Sequence, residues 1–418
     1  MVKFAVIALA ATLAHAHPGQ SEESLRVEAE ARNNYIDSLE NANLANCIPK
    51  IMKRGADGHS QLQTIAKRRS DKVKALRREI GVAEDDSLFK VKRLDKRQTP
   101  PSKGSGVFES MFSAFANMFG GTNTNALLAK SHKSNLTIAN PTQADWLLLG
   151  QNKSVVLSPE VTDGPFYVAG EQIRKDIKDD QKGVNLHLDI QVIDVNTCQP
   201  LKGIAVEIWA ANSTGIYSGV LSVINGDVND KGNINKQFLR GVQISGDDGA
   251  TGFDTIFPGH YMGRATHIHV ATHDGITINP NKTISGGQVS HVGQLYFDQE
   301  LIDQVATTQP YARNNMPRTG NKQDFLLGMG ATGGSDPIVE YVLLGKDLTQ
   351  GVFGWINFAV DPKKKVTPPR SATKCSASGC ETIPGGMFDF VGFGFPKAPG
   401  AKPVSPPSNP ASPGAGTV

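Results

Sequence analysis

Short β-branched runs separated by Gly, Asn and Asp, from about residue 141 to 345, predict an all-β core built as a β-sandwich. Two further observations complete the fold class. Residues 17–97 have the composition of a helical N-terminal segment, and residues 393–418 that of a disordered Pro-rich tail. A chain of 418 residues with 39% hydrophobic residues can bury a substantial core, and its 43 glycines suit a globular fold with many turns. The net charge of +3 is small for this length and gives no general push towards nucleic acid.

The elements follow in chain order. Met1-Val2-Lys3, an apolar run over 4–13 and the small-x-small site Ala14-His15-Ala16 read as a signal peptide over 1–16, so the protein is expected to be secreted and extracellular. The apolar run is too short to span a bilayer, and no later stretch approaches about 18 apolar residues, so no membrane span is expected. Residues 38–78 are rich in Ala, Leu, Lys, Arg and Glu with no aromatics, which favours helix. Their basic run, including Lys67-Arg68-Arg69 and Arg77-Arg78, reads as a solvated helix face and not as a nucleic-acid contact. Lys96-Arg97 precedes Gln98-Thr99-Pro100-Pro101, a dibasic pair that a secretory processing protease could cut; 17–97 is therefore a candidate propeptide. Residues 98–140 read as a linker and 141–392 as the sandwich domain. Within it, 184–195, 204–210, 266–272 and 294–297 are the clearest strands.

Secretion sets how cysteines and sequons are read. Cys47, Cys198, Cys375 and Cys380 allow three pairings, which the sequence leaves open; Cys375 and Cys380 are near enough for a local closure, and Cys47 with Cys198 could then tie the N-terminal segment to the main domain. Asn135, Asn152, Asn212 and Asn281 each open an Asn-x-Ser/Thr sequon and are glycosylation candidates.

The chemistry concentrates in 257–270. His267 and His269 flank Ile268 in an apolar context, and residues two apart on a strand share a face, so both imidazoles project into one site. Taken alone, such a pair is more often a surface strand than a metal centre. Tyr261 and Arg264 lie just upstream, behind a Pro258-Gly259 turn signal that could fold them over the same face. Tyr217 follows a strand that contains Trp209, Tyr167 follows Asp163-Gly164-Pro165-Phe166, and Gln294 opens Gln294-Leu295-Tyr296-Phe297. Each also has an ordinary reading: a turn tyrosine, a loop cap, a backbone-satisfying glutamine, or, for Arg264, an ion pair with a carboxylate such as Asp254.

In this order, from about 158 to 297, these motifs resemble the intradiol ring-cleaving dioxygenases, non-haem Fe(III) enzymes that open catechols, and most of all their secreted fungal branch. The resemblance implies Tyr217, Tyr261, His267 and His269 as iron ligands, with Tyr261 also catalytic. It further implies Arg264 and Gln294 as catalytic groups and Tyr167 at the pocket wall. Two phenolates and two imidazoles suit Fe(III) better than Zn(II) or Cu(I), and the phenolates balance the metal's charge. A catechol-type aromatic and O2 would be the substrates, opened between the hydroxyl-bearing carbons to a muconic acid; the oligomeric state is left open. The sequence departs from the bacterial pattern in three places. Trp209-Ala210-Ala211-Asn212 lacks the family's His, which is not a ligand but bears on pocket shape; the interval between Tyr261 and His267 is short and no helical lid is recognisable, which together imply an open pocket. The alternative is a secreted metal-containing sandwich that serves as a binding or cell-surface module. A weaker third reading is a copper or zinc hydrolase using only the two histidines. Colour separates them, because tyrosinate-to-Fe(III) charge transfer makes a protein red-brown.

Overall fold

The alternation along Asn185–Asp194 (β2) places Leu186, Leu188, Ile190 and Val192 in the main buried core, with His187, Asp189 and Gln191 on the opposite face. The computed structural model describes Cys47 and residues 61–82, 122–134, 166–220, 230–331, 335–365, 373–376 and 379–382. One four-stranded sheet joins β2 to Ala250–Ile256 (β5), Glu340–Leu343 (β8) and Val352–Val360 (β9) in the order β5-β2-β9-β8. The other joins Ala205–Trp209 (β3), Arg240–Ile244 (β4), His267–Ile278 (β6) and Ile284–Tyr296 (β7) in the order β4-β3-β6-β7. Val206, Ile208, Ile268, Val270 and Leu295 of the second sheet meet Leu188, Ile190 and Ile356 of the first, so the expected sandwich is present. A small third sheet pairs Val168–Ala169 (β1) with Thr373–Ser376 (β10) and Gly379–Thr382 (β11), with Cys375 registered opposite Cys380.

The N-terminal helix is part of this body. Gln61–Glu79 (α1) lays Ala66, Val73 and Leu76 against Val342, Leu344, Phe353 and Trp355, covering the outer face of the first sheet. The basic residues are not all solvated, as the sequence led one to expect. Lys67 and Arg78 are exposed, but Arg69 is fully buried, donating from Nε to Asp189 Oδ1 at 2.6 Å and from Nη2 to Asn357 Oδ1 at 2.8 Å. Arg77 donates to the carbonyls of Leu344 and Leu343, both at 3.1 Å. The outward polar positions of β2 and β9 are thus the sites that receive the helix. A disulfide joins Cys47 to Cys198 across 151 residues, with Cα atoms 5.1 Å apart, one of the pairings open from the sequence.

Part of the stretch read as a linker is also built in. Thr122–Ala129 (α2) brings Leu127 and Leu128 against Ala265, Tyr296 and Leu327, and Lys133 after it bridges to Tyr341 of β8. His132 is fully buried; Nδ1 lies 2.6 Å from Asp298 and Nε2 3.0 Å from Asp336. Burial opposes its charge, but the two carboxylates prevail and raise its pKa to about 9. A raised folded-state pKa means stability that is complete below the unfolded value near 6.5 and lost as pH rises through 9. The contribution is roughly 3 kcal/mol. We expect the thermal midpoint to fall between pH 7 and about pH 9.5 more steeply in the wild type than in His132→Gln; equal slopes would contradict this.

Among the described residues no helix is long and apolar enough to cross a membrane. Residues 1–16, read as a signal peptide, together with Lys96-Arg97, Asn135, Asn152 and residues 393–418 lie outside the described residues. Asn281 is exposed at the tip of the β6–β7 hairpin. Asn212 is half-buried, with its side-chain Nδ2 donating to Gln181 Oε1 at 2.8 Å.

Candidate active site

With Ile268 and Val270 committed to the core, His267 and His269 must project from the other face of β6, outside the sandwich. Register sets their neighbours. Trp209 of β3 pairs with His269, whose other neighbour is Gln294 of β7, and His267 pairs with Tyr296. The Trp209 indole stacks on the His269 imidazole, 4.8 Å between centroids and 7° from parallel. His267 Nδ1 lies 2.7 Å from the Ala265 carbonyl, which can only accept, so Nδ1 carries the proton and Nε2 the lone pair. That Nε2 faces His269 Nε2 at 3.0 Å and the Tyr261 hydroxyl at 3.4 Å. Burial, then the neighbouring Arg264, pushes the His267 pKa down to about 3, so the ring is neutral at physiological pH. Two imidazole nitrogens this close need a proton or a cation between them.

The two tyrosines come from loops locked together by glycines. Gly259, two before Tyr261, lies so near the Asn212 carbonyl and Ser213 backbone that a Cβ would overlap them. Gly215, two before Tyr217, has φ +87° and approaches the His260 carbonyl in the same way. Asn212 Oδ1 accepts from the backbone N–H groups of Thr214 at 3.1 Å and Ile216 at 3.0 Å, fixing the turn that leads to Tyr217. His260 donates from Nε2 to the Met316 carbonyl at 2.9 Å, so it fastens the loop and does not enter the site. Tyr217 and Tyr261 are buried, with ring centroids 5.5 Å apart, and Tyr217 lies 6.0 Å from His269.

The structure therefore brings Tyr217, Tyr261, His267 and His269 to one place. Burial drives the Tyr217 pKa well above its ordinary value and that of Tyr261 to about 12, so both phenols stay protonated unless a cation takes the place of their protons. Among the described residues no group of three or more His, Cys, Asp and Glu could hold a metal, which leaves this oxygen-nitrogen set. Its two hard anionic oxygens and two imidazoles fit a trivalent iron.

Arg264 and Gln294 lie in one buried network beside these groups. Arg264 donates from Nη2 to Tyr296 Oη at 2.8 Å and to Gln294 Oε1, which also accepts from Tyr296 Oη at 2.6 Å. Gln294 Nε2 is buried without a hydrogen-bond partner among the described residues, a donor left for something else. The carboxylate facing Arg264 is Asp324, not Asp254, which instead pairs with His187 and Lys175. Tyr167 stands one layer back, its ring edge on Trp209 at 5.1 Å and its hydroxyl donating to Glu207 Oε2 at 3.3 Å.

The sequence did not single out Phe166, Arg240, Tyr296 or Asp324. Phe166 stacks on Tyr217 at 4.6 Å, and Arg240 donates from Nη2 to the Ser218 carbonyl at 2.7 Å, holding the residue after Tyr217. Tyr296, two positions after Gln294 on a strand, could have been found by face sharing.

A family model described as Dioxygenase matches residues 162–319. The intradiol ring-cleavage dioxygenase of Tetranychus urticae is 31% identical, over 50% of this chain and 97% of that one, with a TM-score of 0.42. The chain belongs to the intradiol ring-cleavage dioxygenase family. The identity extends over nearly the whole of that protein. Two other structures are less similar. The dioxygenase domain of a dioxygenase–carbohydrate-binding fusion from Streptomyces sp. SirexAA-E is 24% identical over 49% of this chain and 98% of that one, with a TM-score of 0.32. Catechol 1,2-dioxygenase from Pseudomonas arvilla C-1 is 19% identical over 51% and 67%, also with a TM-score of 0.32. No curated protein matches. The intradiol dioxygenase match covers the clustered tyrosines and histidines, Arg264 and Gln294, and excludes α1, α2 and Asp324.

Proposed function

We propose that this intradiol dioxygenase is a secreted iron(III) enzyme that cleaves catechols between the two hydroxyl-bearing carbons to give muconic acids. The metal would be held by Tyr217, Tyr261, His267 and His269. The observation that supports it most is the convergence of two buried phenols on the facing Nε2 atoms of His267 and His269, with His267 Nδ1 already fixed by Ala265. Iron(III), when bound, supplies a Lewis acid that binds the catechol as its dianion and makes the ring reactive towards O2.

The residues around it have distinct tasks. Once a bound cation has replaced their protons, the phenolate oxygens of Tyr217 and Tyr261 are the nearest bases for catechol protons. The Arg264 guanidinium supplies fixed positive charge where negative charge grows on the substrate. Gln294 Nε2 supplies a hydrogen bond to a substrate oxygen, its Oε1 being occupied by Arg264 and Tyr296. Phe166, Trp209 and Tyr167 provide an aromatic wall that excludes water.

Purified protein should carry one iron per chain and be red-brown. It should consume one O2 per catechol and release a muconic acid. Oxygen uptake with catechol, 4-methylcatechol, hydroxyquinol and protocatechuate, with mass identification of products, tests this. Activity on several of the four is expected from the short 261–267 loop. A colourless, iron-free protein without oxygen uptake would favour the other two readings, the binding module and the copper or zinc hydrolase.

A further inference from the structure

We infer that Asp324 is the positioning residue for Arg264, and that the segment after the family-matched region completes the active site. This rests on the proposed role of Arg264 in the dioxygenase reaction. Asp324 precedes Phe325–Gly330 (α3) and caps it, accepting from the Leu327 N–H at 3.0 Å through Oδ1. Leu327 packs with Ala265, Tyr296 and Ile338, with Leu127 and Leu128 of α2 against the same cluster, so the helix start is held over Arg264.

The carboxylate grips the arginine and its neighbour together. Arg264 Nε donates to Asp324 Oδ2 at 2.9 Å, and Nη2 reaches Oδ1 at 3.4 Å. The Ala265 N–H donates to Oδ2 at 2.7 Å. Both side chains are almost wholly buried. A guanidinium held on its Nε edge by a carboxylate cannot rotate, so its Nη2 stays on Gln294 and Tyr296. Ala265 continues the chain of contacts, because its carbonyl accepts from His267 Nδ1 at 2.7 Å. One carboxylate thereby sets the place of the arginine, while the bond that orients His267 stays on the Ala265 carbonyl, which Asp324 does not touch.

The test uses Asp324→Asn and Asp324→Ser in the full-length protein, alone and combined with Arg264→Ala. Serine keeps a short capping oxygen for α3 but cannot grip the guanidinium, which separates capping from positioning. We expect both single variants to retain iron and colour, to lose about tenfold or more in kcat, and to change KM by less than about threefold. In the Arg264→Ala background the same substitutions should cost less than about twofold, since there is no guanidinium left to misplace. In crystals of metal-free Asp324→Ser the guanidinium should have left Gln294 and Tyr296. An equal kcat loss in both backgrounds, loss of iron in the single variants, or an unmoved guanidinium would overturn the inference. If the wild type turned over no catechol, the proposed function would fall, and the guanidinium's position in the serine variant would still decide for or against the clamp.

Discussion

His267→Ala is expected to abolish stable iron binding and bleach the protein. The ring cannot be replaced by a shift of its neighbours. His267 Nδ1 is held on the Ala265 carbonyl, and the opposite edge points its lone pair at His269 Nε2, 3.0 Å away. Loss of an outer-shell partner typically costs about 10–100-fold in metal affinity, so loss of a ligand should cost at least about a hundredfold. The sandwich itself should survive, because the core face of β6 is made by Ile268 and Val270 and the histidine projects away from it. The control is His273→Ala, on the same strand but bonded to Glu207 at 2.7 Å and not to the site. It should keep iron and colour. Iron quantified by plasma mass spectrometry, with visible spectra of both variants, decides the matter. Full iron and unchanged colour in His267→Ala would remove this histidine from the ligand set.

How far the sequence reaches depends on which residues carry local signals. Strand alternation in 185–194 and the His267-x-His269 spacing need only period two, so the sandwich and the shared face of the histidines could be read directly. The order of Tyr217, Tyr261, Arg264 and Gln294 along the chain added a resemblance, and the structure brings all four beside the histidines. Asp324 was not legible. A lone Asp before Phe325-Leu326-Leu327 signals a helix start, but nothing local says which cation, 60 residues away, it will meet. Arg69 and Arg77 failed differently. A basic run with helical composition reads as solvated. Their burial is decided by outward polar positions on β2 and β9, and by carbonyls after β8, that only tertiary packing presents to them. Helix α2 is short, with its apolar residues gathered in its second half, and what fixes it is the Leu127–Leu128 contact with Ala265 and Tyr296 rather than propensity.

Gly259→Ala is expected to damage the site from outside it, through backbone and not through chemistry. The added methyl would overlap the Asn212 carbonyl and the Ser213 backbone, which cannot swing aside as the end of a side chain would. One of the two loops must move. If the 212–216 turn moves, Asn212 loses its hold on Thr214 and Ile216, and Tyr217 leaves Tyr261; if the 257–261 segment moves, Tyr261 leaves His267. Either way one phenol oxygen drops out of the cluster. Overpacking of this kind costs roughly 1–3 kcal/mol of stability. The larger effect should fall on the metal, with most iron lost and any remaining colour shifted, because one tyrosinate contribution is gone. Gly263→Ala is the matched control in the adjoining loop. Its φ of +84° makes alanine strained, but nothing lies within 4 Å of the new methyl. It should therefore cost about 1 kcal/mol and leave iron binding intact. Equal iron contents in the two variants would mean that the contact between the loops does not hold the tyrosines in place.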